Sequence, residues 1–126
     1  MNILYVDDET DIRTIVALAF RLDPGLDVKM AESGPDALRI VDAGGWKPDI
    51  AMIDMMMPGM SGADLLSALR MRAGQEALPV IFVTASARRD DIRAYLDLGA
   101  NGVITKPFDP MSLARTVRRR FAELSA

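Results

Sequence analysis

Short apolar runs alternate along the chain with stretches of helical periodicity. Ile3-Leu4-Tyr5-Val6 reads as a strand. Ile12, Ile15, Val16, Ala19 and Phe20 then recur at three- and four-residue spacing, which predicts an amphipathic helix ending before Pro24-Gly25. Val28 and Met30 alternate in a short second strand. Ser33-Gly34-Pro35 opens a helix carrying Ala37, Leu38 and Val41, and Gly44-Gly45 stops it. Asp49 to Ile53 is the third strand, and Ser61 caps a helix with Leu65, Leu66 and Leu69 inward. Pro79 introduces Val80-Ile81-Phe82-Val83, an apolar run of the kind a strand covered on both faces shows. A charged helix from Arg88 to Leu98 ends at Gly99. Val103-Ile104 is a short fifth strand, and Pro110 starts a last helix with Leu113, Val117, Phe121 and Leu124 in step.

Five strand–helix units of this kind predict an α/β fold: a doubly wound (βα)5 domain over residues 1–126, with a parallel sheet covered by helices on both faces. The length suits one domain and is too short for two. Ligands of such sheets bind outside the carboxyl ends of the strands. Polar residues stand at four of those ends: Asp7 and Asp8, Asp54, Thr84, and Lys106. The four methionines between Met55 and Met60 read as packing residues.

Composition narrows the chemistry. The chain has no cysteine and no histidine. Thiolate nucleophiles, Cys-type zinc sites, phosphohistidine and imidazole general bases are therefore excluded from this chain. Carboxylates, hydroxyls, lysine and a hard, oxygen-preferring metal remain. The net charge of −3 gives no general reason to expect direct nucleic-acid binding. Arg118-Arg119-Arg120 reads as a solvated helix face. No apolar run approaches the ~20 residues of a membrane span, and no signal peptide is visible, so no membrane insertion and a cytoplasmic location are expected.

Asp54 is the residue hardest to explain as structure. It closes the apolar run Ile50-Ala51-Met52-Ile53 and faces Met57-Pro58-Gly59, an expensive place for an unpaired carboxylate. Asp7, Asp8 and Asp54 converging would raise one another's pKa, and a divalent cation removes that penalty. Mg²⁺ suits an all-oxygen site, and Asp7 and Asp8 can hold it directly or through water. A carboxylate so placed can attack phosphorus and form an acyl phosphate. Phosphoryl transfer needs its equatorial oxygens neutralised. Mg²⁺, the Lys106 ammonium, and the Thr84 hydroxyl with the Ala85 backbone N–H can each take one.

The acid pair Asp7-Asp8, Asp54 with Met57-Pro58 and Gly62, Thr84-Ala85, and Lys106-Pro107-Phe108 together resemble the receiver domain of two-component response regulators, over nearly the whole chain. The resemblance implies the flavodoxin-like strand order 2-1-3-4-5, which the pattern alone leaves open. It implies that Asp54 is the phosphoacceptor, that Asp8 ligates Mg²⁺ directly with Asp7 acting largely through water, and that the Met56 backbone carbonyl is a further ligand. Thr84 and Lys106 would bind the phosphoryl group, and the Lys106–Pro107 bond would be cis. Met56 and Ser86 would flank the phosphoryl group and tune its lifetime.

The implied donor is a phosphohistidine on a sensor histidine kinase or a histidine phosphotransfer protein. The implied output is a changed affinity for a downstream effector protein, through the face from Arg88 to Glu123, in a stand-alone regulator or a receiver within a longer protein. Phosphorylation-dependent dimerisation is left open, as are roles as a phosphorelay intermediate or phosphate sink and as an unphosphorylated interaction module. Val103 departs from the family, which often has tyrosine or phenylalanine there, so switching is expected to run instead through a shift of the Arg88–Leu98 helix. No enzymatic turnover of a separate substrate is expected. Aspartyl phosphatases of the haloacid-dehalogenase kind usually need a second Asp two residues on, where this chain has Met56. A flavodoxin-like cofactor site is opposed by Asp7-Asp8-Glu9, which would repel a cofactor phosphate.

Overall fold

The computed structural model describes residues 1–86 and 88–125; Ala87 and Ala126, the latter the expected end of the domain, lie outside the described residues. Strands and helices alternate as β1 (Asn2–Val6), α1 (Thr10–Arg21), β2 (Asp27–Ala31), α2 (Gly34–Asp42), β3 (Ile50–Asp54), α3 (Gly62–Arg70), β4 (Val80–Thr84), α4 (Arg89–Asp97), β5 (Gly102–Thr105) and α5 (Leu113–Ser125). All strand pairs are parallel, in the order β2-β1-β3-β4-β5. The expected doubly wound fold and its strand order are both present. β3 and β4 are buried along their whole length because helices cover both faces. β2, at the edge, keeps the exposed–covered alternation that Val28 and Met30 announced.

Side-chain alternation divides the core in two. Leu4, Val6, Ile53 and Phe82 pack with Leu65 and Leu69 of α3 and Ala37 of α2 on one face. Ile3, Tyr5, Met52, Ile81 and Ile104 pack with Val16 and Phe20 of α1 and Leu113 and Val117 of α5 on the other. Capping follows the sequence signals. The Ser33 hydroxyl accepts the Asp36 N–H at 3.1 Å, and Ser61 and Asp64 form a reciprocal capping box at α3.

Two expectations shift. The last helix starts at Leu113 rather than Pro110, because Asp109 turns the chain first: its carboxylate accepts the Met111 N–H at 3.0 Å and its carbonyl the Ser112 N–H at 3.2 Å. The stripe on that helix also ends earlier than its periodicity suggests, with Leu113 and Val117 buried but Leu124 exposed. On α1, Ile15 is likewise exposed while Val16 and Phe20 are buried. No helix among the described residues is long and apolar enough to cross a membrane.

Arg70 of α3 ties the amino-terminal end of β4 to the α4–β5 turn. Its guanidinium donates to the Leu78 carbonyl at 3.0 Å, the Gly99 carbonyl at 2.7 Å and Asn101 Oδ1 at 2.8 Å. Asn101 Oδ1 also accepts the Val80 N–H at 2.9 Å. Removing the guanidinium strands part-buried carbonyls, which costs more than a surface contact. Arg70→Ala is expected to lower stability by about 2 kcal/mol. Urea unfolding should show a lower midpoint at unchanged slope. A midpoint equal to wild type would show that water replaces the clamp.

Candidate functional site

The site forms at the carboxyl ends of the three central strands and β5, where backbone bonds continue past the strands themselves. The Asp7 N–H donates to the Ala31 carbonyl at 3.1 Å, Met55 N–H to Val83 at 3.1 Å, and Lys106 N–H to Thr84 at 2.7 Å. The two-residue alternation then aims the side chains. Asp7 follows Tyr5, Asp54 follows Met52 and Lys106 follows Ile104, all three in rows that build the α1/α5 face. The rows that are apolar within the sheet become charged at its rim.

Asp7 is fully buried and Asp54 is 5% exposed. Lys106 Nζ lies 2.9 Å from Asp7 Oδ2 and 3.5 Å from Asp54 Oδ2, so one ammonium bridges both carboxylates. Asp7 Oδ2 also accepts the Tyr5 hydroxyl at 3.1 Å, and Asp7 Oδ1 the Glu9 N–H at 3.0 Å. Arg13 Nη1 donates to the Asp7 carbonyl at 2.7 Å, fixing the backbone beneath. Asp54 Oδ1 accepts the Met56 N–H at 3.3 Å. Thr84, also buried, accepts the Ser86 N–H on its hydroxyl oxygen at 3.2 Å. The Ser86 hydroxyl donates to Asp91 in the first turn of α4.

The electrostatics follow from this crowding. Burial, then the Asp7 charge, push the Asp54 carboxyl up to about 6, against the opposing pull of Lys106 and the Met56 N–H. For Lys106, burial alone would lower the pKa. The hydrogen bond and charge of Asp7, with Asp54 and Glu9, outweigh it and hold the ammonium above the ordinary lysine value. Burial, with the charge and hydrogen bond of Asp7, drives the Tyr5 phenol far above its usual range.

Among the described residues, one acidic group has the reach of a metal site: carboxylate oxygens of Asp7, Glu9 and Asp54 lie within 4.8 Å of one another. The donors are all oxygen, and burial, then the Asp7 charge, raise the Asp54 carboxyl despite the opposing Lys106. Both fit a hard divalent cation. Asp8, expected as the direct ligand, and Glu9 are both exposed, and of the two only Glu9 is part of this group. The Asx-type turn at Asp7 brings Glu9 back toward it.

The other expected positions fall as follows. Ala85 is exposed at the start of the β4–α4 loop. The Lys106–Pro107 bond is cis. Val103 is half-buried beside Phe82 in the sheet register. Phe82 instead meets an aromatic ring from α4: Tyr95, edge to face, with centroids 5.8 Å apart. Met57 is buried, but Met56 is 78% exposed beside Asp54, so the four methionines are not all packing residues. Gly62 lets α3 begin against the site loop, since a Cβ there would stand 2.8 Å from the Asp54 carbonyl oxygen and 2.9 Å from Met55 Cα. Beside Lys106 opens a mostly apolar hollow of about 370 Å³, walled by Ile12, Ile15, Pro107, Phe108 and Pro110.

The response regulator receiver domain family matches residues 3–118. The chain belongs to that family. It is 35% identical over 125 residues to the chemotaxis protein CheY of Pseudomonas aeruginosa, covering 99% of each. It is 34% identical to the DNA-binding response regulator MtrA of Mycolicibacterium paratuberculosis over 94% of this chain and 50% of that one. The structure of the chemotaxis response regulator CheY4 of Vibrio cholerae superposes with a TM-score of 0.82 at 30% identity, covering 94% of this chain and 97% of that one. This receiver domain is thus a signalling domain of the two-component kind. Receiver domains generally bind Mg²⁺ at an acidic pocket, and work with histidine kinases and effectors.

The Asp54 shift gives the receiver domain a pH signature. Between about pH 4 and pH 6 the folded, metal-free protein holds a proton that the unfolded chain has released. Stability therefore falls as pH rises through that window, and the full penalty stands at neutral pH. Asp54→Asn is expected to stabilise the metal-free protein at pH 7 by about 1–2 kcal/mol, a figure reduced for screening by solvent and Lys106. The gain should vanish below about pH 4, and Mg²⁺ should erase it at pH 7 by stabilising the wild type. Thermal unfolding of both proteins from pH 3.5 to pH 7.5 checks this; a difference independent of pH would refute the carboxyl-based account.

Proposed function

We propose that residues 1–126 act as a phosphoacceptor switch in which Asp54 takes a phosphoryl group from a phosphohistidine on a partner protein, in a Mg²⁺-dependent reaction. The observation that carries this reading is the single ammonium of Lys106 set between two buried carboxylates at the strand ends. A structural ion pair needs one carboxylate. The second has no structural need for burial, and its raised pKa shows what its presence costs.

An Asp54 carboxylate oxygen attacks phosphorus, the P–N bond of the donor breaks, and its electron pair returns to the imidazole. Lys106 moves from Asp7 to a phosphoryl oxygen, a short shift because it already lies 3.5 Å from Asp54. The Thr84 oxygen accepts from Ser86, which leaves its proton for a second oxygen, together with the Ala85 N–H. Mg²⁺, when bound, would supply positive charge for the remaining phosphoryl oxygen and for the converging acids. Asp7, Asp54, the Met56 carbonyl and one of Asp8 and Glu9 would hold it. Glu9 is favoured by its place in the acidic group.

The apolar hollow beside Lys106 supports a protein donor, since a helix bearing the phosphohistidine can bury apolar side chains there. The output fits α4, which buries no residue of its own and is therefore held loosely. Ser86–Asp91 and Phe82–Tyr95 link it to the strand that carries Thr84. A change at Thr84 thus has a route to the Arg88–Glu123 face without an aromatic residue at position 103. The effector is a protein that reads this face.

Intact-mass analysis after incubation with a small phosphodonor tests the reading. One phosphoryl adduct is expected with Mg²⁺, none after chelation and none in Asp54→Asn. No adduct in folded wild type, with phosphohistidine donors as well, would overturn it. Lifetime follows from Met56, whose exposed thioether cannot orient an attacking water by a strong hydrogen bond. Slow self-dephosphorylation is expected, and Met56→Asn should speed the decay several-fold. An unaltered decay rate would remove Met56 from the lifetime argument.

A further inference from the structure

Tyr5 is out of keeping with its strand. β1 is otherwise Asn2, Ile3, Leu4 and Val6, and Tyr5, its fourth residue, is fully buried among the α1/α5 core. A branched aliphatic residue would fill such a position without a hydroxyl to satisfy. Among the described residues the hydroxyl has one partner, Asp7 Oδ2, two residues along on the same face.

That oxygen is shared. It accepts the Tyr5 hydroxyl at 3.1 Å and the Lys106 ammonium at 2.9 Å, while Asp7 Oδ1 is occupied by the Glu9 N–H. When Lys106 turns to a phosphoryl group on Asp54, one of the two donors leaves. Without the other, this fully buried carboxylate oxygen would have lost both protein donors beside a newly anionic neighbour, with only the cation left to orient it. Tyr5 cannot follow Lys106, because its ring is fixed in the sheet interior beneath Asp7.

We propose that Tyr5 is a positioning residue for phosphoryl transfer: its hydroxyl holds the Asp7 carboxylate in place while Lys106 moves from Asp7 to the phosphoryl group. The inference rests on Asp54 being the phosphoacceptor. It assigns a function to a residue that does not touch the reacting atoms and acts through Asp7.

Tyr5→Phe deletes one oxygen and keeps the ring. With a small phosphodonor and saturating Mg²⁺, the variant's maximal phosphorylation rate should fall about tenfold, the change expected when one buried acceptor loses its donor. The donor concentration at half-maximal rate should not move, because Tyr5 does not contact the donor. A rate within twofold of wild type, or a change in the half-maximal concentration alone, would show Tyr5 to be a core residue only. A wild type that takes no phosphoryl group in the same assay sinks the phosphoacceptor reading and this inference with it. Wild type labelled normally beside an equally fast Tyr5→Phe sinks this inference alone. A second measurement needs no variant. The Tyr5 hydroxyl proton, identified by its NOE to the ring protons, should remain in slow exchange with water when Mg²⁺ and beryllofluoride are added to wild type. Its loss to fast exchange would mean that the hydroxyl lets go of Asp7 when Lys106 does.

Discussion

Two carboxylates buried at the ends of neighbouring strands, bridged by one lysine, set the terms for the rest of this molecule. Asp7 and Asp54 repel each other in a place where water screens them only weakly, and Lys106 is 99 residues away from Asp7 in sequence. The pair can form only if β1, β3, β4 and β5 lie side by side in register. The sheet order provides this, with β3 between β1 and β4 and the Lys106 backbone bonded to Thr84. The site and the topology are thus one constraint viewed from two ends.

The sheet's alternation does more than bury its core. The same period of two that sends Tyr5, Met52 and Ile104 into one hydrophobic layer delivers Asp7, Asp54 and Lys106 to its rim. A strand register slipped by one residue would turn a carboxylate into the opposite layer and an apolar side chain into the site. Continuous apolar burial along β3 and β4 makes such a slip costly. Core packing thereby fixes the chemistry without any residue dedicated to holding the strands in phase.

This explains what could be seen in the sequence. Asp54, Asp7, Thr84 and Lys106 stand at the ends of apolar runs, and an apolar run is the most visible mark a buried strand leaves. Where the backbone leaves the strand, visibility drops. Asp8 and Glu9 look equally able to join Asp7, and the turn at Asp7, set by a carboxylate accepting the Glu9 N–H, separates them. Pro110 looks like a helix start until Asp109 claims the next two N–H groups. Tyr5 was hidden for the opposite reason. Within a strand an aromatic residue reads as core, and only the position of its hydroxyl shows otherwise. Met56 and Tyr95 were unreadable because exposure in a loop and ring packing across elements leave no period.

The balance of rigidity in the fold suits a switch. Strands β3 and β4, which carry Asp54 and Thr84, are wholly buried, so both residues are held in place. α4 buries none of its residues and rests on Tyr95 against Phe82 and on Asp91 against Ser86. Ser86 in turn donates its N–H to Thr84. On the proposed reading, a phosphoryl group would redirect the Thr84 hydroxyl by a local exchange of hydrogen bonds, at an energy comparable to the Ser86–Asp91 and Phe82–Tyr95 contacts of α4. A helix anchored in the core, as α3 is through Leu65 and Leu69, would absorb such a change without moving. In the proposed switch, α4, which buries none of its residues, is therefore the element whose equilibrium a single phosphoryl group would bias.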